Sequence, residues 1–194
     1  MSALSSGLSS DLSIGLRAQL HHGRQQHGVF AYPTEAVYGL GCHPWDEVAL
    51  ERLLAIKQRD WRKGMIVVAA SLEELTPFLL PLNEELRIRV SNTWPGPVTW
   101  LLPVKPCVPE LLTGGNETLA VRVSAHPMVR KVCDALGPVV STSANPAGLP
   151  PAKTALKVRQ YFGRALTCVV PGALGALSRP TQIRHGLTGE WVRQ

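Results

Sequence analysis

The chain has 194 residues, 45% of them hydrophobic and 18% charged, which suits one domain that can bury a substantial core. Its formal net charge of +6 favours an anionic partner such as a nucleotide, phosphate or RNA, without choosing among them. The longest wholly apolar run, residues 65–70, is far too short to span a membrane.

Strand-like and helix-like segments alternate along the chain. Runs rich in β-branched and other apolar residues predict strands, and apolar residues at helical spacing behind a capping residue predict helices. In chain order we expect a strand at 28–32, a helix from the N-cap Asp46 to about residue 56, a strand at 64–70, a short helix opened by a capping box at Ser71, a helix at 83–92, strands at 98–104 and 118–124, a helix at 127–136, a strand at 138–141, a helix at 154–162, a strand at 166–170, and a C-terminal hairpin that turns near Gly186 or Gly189. The alternation predicts an α/β fold with a mixed sheet.

The N-terminus and the cysteines point to a protein of the cytoplasm. Residues 1–11 are rich in serine and lack the basic and apolar regions of a signal peptide. We expect a flexible segment at residues 1–12 and a single domain at residues 13–194. The four cysteines are far apart, with no CxxC pair and no zinc spacing, and are predicted to be free thiols without a metal site.

The octet KQRDWRKG, residues 57–64, places four cations at the end of the helix predicted after Asp46. In a continuing helix Lys57 and Arg59 would point about 200° apart. If the helix ends near Lys57, the extended chain that follows puts both cations on one face, where they could converge on one anion. The alternative is that they only stabilise a helix C-terminus, which favours cations. In either case we expect both side chains to be exposed.

Three further stretches carry polar groups at predicted strand ends. YPTEAVYGLG, residues 32–41, presents Thr34 and Glu35 after a strand, or is a plain turn with glycines. STSAN, residues 141–145, supplies hydroxyls and an amide that suit phosphate or ribose, or that cap a local turn. Arg122 lies within the apolar strand LAVRV, so it either faces solvent or is paired inside a site. We expect function in the loops at 105–117 and 142–152.

Taken in order, YPTEAVYGLG, KQR…KG, WPGPVT, LAVRV and STSAN resemble the YrdC/TsaC family of threonylcarbamoyl-AMP synthases, in its short single-domain form. The resemblance runs from about residue 14 to the C-terminus. It implies a twisted, open, mixed sheet flanked by helices around a basic concave cavity. It also implies synthesis of L-threonylcarbamoyladenylate and pyrophosphate from L-threonine, bicarbonate or CO2, and ATP. Mg2+ is expected with ATP, and no prosthetic group is expected.

The resemblance also implies partners and site residues. Other proteins of a transferase complex would move the threonylcarbamoyl group to the adenosine beside the tRNA anticodon, so tRNA and that complex are expected partners. Lys57 and Arg59 would bind phosphate and act in catalysis. The remaining implied contacts are to threonine, from Thr34, Lys63, Arg122, Ser141 and Thr181, and to ATP, from Thr99, Ser143, Asn145 and Arg193. Asp60 stands where the family usually has proline after K-x-R, which puts a carboxylate beside the two cations.

Two other functions fit parts of the pattern. An RNA-binding module of the same fold, without adenylate-forming activity, would suit the positive charge, although aromatic residues make up only 6% of the chain. A domain that handles carbamoyl phosphate inside a larger maturation protein would share the fold, but such proteins carry zinc-finger segments that this sequence lacks.

Overall fold

The computed structural model describes residues 12–179 and 181–193. Of Arg193 it describes the backbone alone. Most of the N-terminal segment that was predicted to be flexible, residues 1–11, lies outside the described residues. Leu12, also assigned to that segment, is buried against the core. Within the described ranges, every helix is too short or too polar to cross a membrane.

Six α-helices and nine strands make up the regular structure of the described residues. The helices are α1 (Ile14–Gln25), α2 (Glu47–Lys57), α3 (Glu84–Ser91), α4 (Glu110–Thr113), α5 (Pro127–Leu136) and α6 (Ala155–Phe162). The strands are β1 (Phe30–Pro33), β2 (Tyr38–Gly41), β3 (Ile66–Ala69), β4 (Val98–Pro103), β5 (Thr118–Val123), β6 (Val139–Ser143), β7 (Cys168–Val169), β8 (Gln182–His185) and β9 (Trp191–Arg193).

Local capping signals placed α2 and α6 correctly. The Asp46 side chain accepts a hydrogen bond from the backbone N–H of Ala49, and Thr154 caps α6 in the same way. The helix α2 ends at Lys57 because Gln58 adopts a left-handed conformation with φ of 52°. The capping box at Ser71 opens only a short 3-10 helix, Glu73–Leu75.

The sequence prediction missed α1, α4 and β2, and it ended β6 too early. The segment YGLG was interpreted as a turn, but it forms β2 and pairs antiparallel with β1 on one side and β6 on the other. A Cβ atom at Gly41 would lie 2.7 Å from the carbonyl oxygen of Val140, so glycine permits this close approach. The strand β6 continues through Ser143, which places most of STSAN inside the sheet.

The sheet has the order β7-β1-β2-β6-β3-β5-β4-β8-β9 and mixes parallel with antiparallel pairs. Alternation along β3 sends Val67 into a first core, to which α2, α3 and α6 contribute, and Val68 into a second core, to which α1 and α5 contribute. Helices therefore flank both faces of a mixed sheet, which confirms the predicted fold class. The predicted C-terminal hairpin is also present as β8 and β9.

Candidate functional site

Alternation along the strands directs the polar side chains of the motifs to one face of the sheet. In β5, Val121 and Val123 enter the first core, so Arg122 projects from the opposite face. In β6, Val140 enters the first core, and Ser141 and Ser143 project on the same side as Arg122. That side forms a cavity of about 410 Å³. Its lining includes seven of the predicted site residues: Thr34, Arg59, Lys63, Arg122, Ser141, Ser143 and Thr181.

A second cavity of about 210 Å³ adjoins the first, because both are lined by Arg59, Lys63 and Ser143. Lys57 and Asn145 line only this second cavity. In the part of the chain that the structure describes, no aspartate or glutamate lines either cavity. The shared region is therefore a concentration of cations without a lining carboxylate, which suits an anionic ligand such as phosphate.

Lys57 is buried, contrary to the expectation that it would be exposed. It is only 4% exposed, and its ammonium donates hydrogen bonds to the main-chain carbonyls of Ser143 and Asn145, the latter at 2.8 Å. Burial, and secondarily the neighbouring Arg59, lowers the pKa of Lys57 to about 8. The α2 terminus is thus tied to the STSAN loop, and the carbonyl of Lys57 in turn accepts a hydrogen bond from the N–H of Ala147.

Arg59 and Lys63 reach the shared region because the chain leaves α2 at Gln58 and turns. The guanidinium of Arg59 donates to the carbonyl of Gly64 at 2.9 Å, which closes this turn. Asp60 caps the 3-10 helix that follows, by accepting a hydrogen bond from the N–H of Arg62 at 3.0 Å. Since Asp60 lines neither cavity, its carboxylate is not part of the cationic lining.

Arg122 is paired inside the protein, which decides between the two alternatives left by the sequence. It is 3% exposed, and its Nη2 lies 3.0 Å from Oε2 of Glu35. Its Nη1 donates a hydrogen bond to Oγ1 of Thr181 at 2.6 Å. The other carboxylate oxygen of Glu35 accepts a hydrogen bond from Ser124 at 2.7 Å. Sequence reasoning placed Glu35 at a strand end but missed its pairing with Arg122, because no local signal connects them.

Thr34 is held in a tight turn beneath the strap, which we define as residues 172–177. Its hydroxyl donates to the carbonyl of Val37 at 2.7 Å. The strap lies on this turn through two backbone hydrogen bonds, from Gly175 to the carbonyl of Thr34 at 2.9 Å and from Leu177 to that of Glu35 at 3.1 Å. A Cβ at Gly175 would lie 2.7 Å from the main-chain carbonyl oxygen of Glu35, so this close contact between the strap and the turn requires glycine.

The STSAN loop is organised by its own side chains at the border of the two cavities. The hydroxyl of Ser143 donates to the amide oxygen of Asn145 at 2.7 Å. The amide nitrogen of Asn145 donates to the carbonyl of Leu149 at 2.7 Å. The loop is therefore a local polar turn, as one alternative held, and its side chains also line the cavities, as the other required.

Of the other predicted ATP contacts, Thr99 lines neither cavity, and Arg193 is described by its backbone alone. Thr99 is fully buried in β4. The next residue, Trp100, pairs with Val121, which precedes Arg122 in β5. The side chain of Arg193 is outside the described residues, although its backbone pairs with Ile183 in the hairpin that borders the first cavity. Conversely, Asn116 lines the first cavity without having been singled out, although the loop at 105–117 was expected to carry function.

Comparison with known proteins finds relatives over most of the chain. The sequence model of the Sua5/YciO/YrdC family, described as "Telomere recombination", matches residues 24–192. The chain is 51% identical to a threonylcarbamoyl-AMP synthase of Cellvibrio japonicus over 170 residues, which are 87% of this chain and 90% of that protein. It is 50% identical to a threonylcarbamoyl-AMP synthase of Pseudomonas aeruginosa over 169 residues, 87% of this chain and 91% of that protein.

A solved structure has the same fold at lower identity. The crystal structure of P. abyssi Sua5 complexed with L-threonine matches with a TM-score of 0.81 and 31% identity. The match covers 87% of this chain and 50% of that one, so this chain spans about half of the P. abyssi protein.

Proposed function

The chain belongs to the Sua5/YciO/YrdC family, and we propose that it synthesises L-threonylcarbamoyladenylate from L-threonine, bicarbonate or CO2, and ATP, with release of pyrophosphate. Relatives about half identical over nearly their whole length bear the name threonylcarbamoyl-AMP synthase. The L-threonine complex of P. abyssi Sua5 supports threonine as a substrate. These findings favour the enzyme over an RNA-binding module without chemistry.

The observation that carries the proposal is the pair of adjoining cavities with cationic side chains and no lining carboxylate in the described part of the chain. The reaction joins a carbamate to the α-phosphate of ATP, so its reactants carry negative charge and more charge builds on phosphate oxygens. Fixed cations and hydrogen-bond donors that stabilise this charge would supply most of the rate enhancement. A covalent nucleophile is not needed.

We assign ATP phosphates to the region that both cavities share. Arg59 and Lys63 would face the phosphates from one side, and Ser143 and Asn145 would offer neutral polar groups from the STSAN loop. Lys57 would add its charge from beneath that loop. Because its Nζ already binds two carbonyls, we assign it the further role of holding Ser143 and Asn145 in place.

We assign threonine to the part of the first cavity that the second does not share. Arg122 would bind the carboxylate, since guanidinium groups hold carboxylates in fixed geometry. Arg122 lines the first cavity, and its contacts with Thr181 and Glu35 use two of the five N–H donors of the guanidinium, so donors remain for a ligand carboxylate. Thr34, Ser141 and Thr181 would contact the rest of the amino acid.

The chemical sequence then follows from this placement. The threonine amine adds to CO2 and loses a proton, which gives a carbamate. A carbamate oxygen attacks the α-phosphorus, and the bond to the leaving pyrophosphate breaks. The protein brings the two anions together and offsets their repulsion. We propose that Mg2+ enters with ATP, because polyphosphate reactions generally use it. We further propose that the protein acts in the cytoplasm and that a transferase complex receives its product and modifies tRNA.

The test is pyrophosphate release from Mg-ATP by purified protein, with and without L-threonine and bicarbonate. We expect release only when both co-substrates are present. The matched variants are Arg59→Met and Arg62→Met, because Arg62 is a neighbouring exposed cation that lines neither cavity. Arg59→Met should lose activity, and Arg62→Met should keep it. Folded wild-type protein that releases no pyrophosphate under any combination would overturn the proposed function.

A further inference from the structure

The proposed chemistry leaves one buried carboxylate without a role. The side chain of Glu35 is 10% exposed and lines neither cavity. Both of its oxygens are used, one by Nη2 of Arg122 at 3.0 Å and the other by the hydroxyl of Ser124 at 2.7 Å. Its backbone carbonyl accepts from the strap at Leu177. Glu35 is thus held from three sides behind the residue that we assign to the threonine carboxylate.

The contacts of Glu35 fix the orientation of the Arg122 guanidinium. One terminal nitrogen is bound to Glu35 and the other to Thr181 at 2.6 Å, so the plane of the group is set by two partners from separate segments. These contacts use two of the five N–H donors of the guanidinium, and Arg122 lines the first cavity. The guanidinium is therefore held by protein groups at its far end while a donor of the same group stays available to a ligand.

Glu35 also changes the electrostatics of this part of the cavity. A buried guanidinium alone would attract any anion, including phosphate, because little solvent screens it. The adjacent carboxylate cancels most of that charge. The region lined by Arg59 and Lys63 has no carboxylate in its lining, so it keeps its positive charge. The two regions therefore differ in net charge, although each contains arginine.

From this contrast we propose that Glu35 is a positioning and specificity-determining residue, which holds Arg122 for a single carboxylate and excludes phosphate-like anions from the threonine position. The inference rests on the proposed function, because it takes Arg122 to be the threonine contact. Glu35 would thereby direct the phosphates of ATP to the shared region and leave the neutral pair for a zwitterionic amino acid.

The principal test is Glu35→Gln, which removes the charge and keeps the size of the side chain. We expect the KM for threonine to rise about tenfold, equivalent to about 1.4 kcal/mol, while the KM for ATP changes little. Inorganic phosphate should become a competitive inhibitor against threonine in this variant and not in wild-type protein. A purely structural role for Glu35 would not create phosphate competition. A variant with wild-type threonine KM and wild-type phosphate response would overturn the inference.

A second variant, Glu35→Asp, separates position from charge and remains informative if Glu35→Gln does not fold. It keeps the negative charge but is one methylene shorter, so it loses the close contact with Arg122. We expect a raised threonine KM without new phosphate inhibition, and an unchanged KM would contradict the positioning role. The control is Glu74→Gln, which also neutralises a hydrogen-bonded carboxylate but lies outside both cavities. Its kinetics should match wild-type protein.

The same measurements separate this inference from the proposed function. If wild-type protein releases no pyrophosphate in response to threonine and bicarbonate, the proposed function fails. If wild-type protein is active and the two Glu35 variants match it in threonine KM and phosphate response, only the role of Glu35 fails.

Discussion

Replacing Lys57 with methionine tests whether the protein keeps an ammonium buried beneath the STSAN loop. Methionine preserves an unbranched apolar side chain and removes the charge. In the wild-type protein, Nζ is enclosed and donates to the carbonyls of Ser143 and Asn145. The pKa of Lys57 falls from its usual 10.5 to about 8, chiefly by burial and secondarily through Arg59. The substitution should therefore alter how stability depends on pH, as well as activity.

The sign follows from which state binds more protons. Above the unfolded pKa, 10.5, both states hold neutral Lys57, and the cost of burying the charge is absent. As pH falls towards the folded pKa of about 8, the unfolded chain takes up the proton first, and the folded state loses stability. Wild-type stability should thus gain about 2 to 3 kcal/mol from this group between about pH 7 and about pH 10. Lys57→Met lacks this gain.

The assay is urea unfolding of both proteins across this pH range, with pyrophosphate release measured in parallel at neutral pH. The quantity of interest is the difference in unfolding free energy between wild type and Lys57→Met, because other titrating groups cancel in it. Lys63→Met is the matched control, since Lys63 lines both cavities but is exposed. Its free energy of unfolding should stay within about 0.5 kcal/mol of the wild-type value across the pH range. Parallel stability profiles for wild type and Lys57→Met would refute a buried charge at Lys57. Turnover by Lys57→Met should be nearly abolished.

Three further predictions concern the surroundings of the cavities. Arg59→Met should reduce pyrophosphate release about 10²- to 10³-fold, as expected for loss of one group that stabilises transition-state charge, and undiminished turnover would contradict its assignment. Gly175→Ala should destabilise the protein by about 1 to 3 kcal/mol in thermal unfolding, because the new Cβ would approach the Glu35 oxygen to 2.7 Å; an unchanged melting temperature would show that the strap yields. Asp60→Pro should keep turnover, because φ at Asp60 is −61°, and should cost about 0.5 to 2 kcal/mol for the lost hydrogen bond to Arg62; an unfolded product would show that Asp60 supports the turn.

Much of the secondary structure was predictable because its causes are local. Asp46 and Thr154 cap their helices through atoms three residues away, and β3 and β5 are apolar runs rich in β-branched residues. The strand β2 was not predictable in this way. Its glycines at 39 and 41 are unfavourable in isolated strands, and it exists because β1 and β6 pair with it on both sides.

The residues of the candidate site were visible in the sequence as polar groups at strand ends. The predicted strand stopped at residue 141, so that Ser141 and Ser143 share a face of β6 emerged only from the structure. The sequence by itself thus determined the residue types of the site, most helices and strands of the chain, and the family resemblance that the comparisons confirm. Tertiary structure decided three further features: that Glu35 pairs with Arg122, that Lys57 is buried, and that Thr99 is fully buried and lines neither cavity. Such features depend on which strands become neighbours, because packing joins residues far apart in the chain, and burial and pKa follow only from that packing.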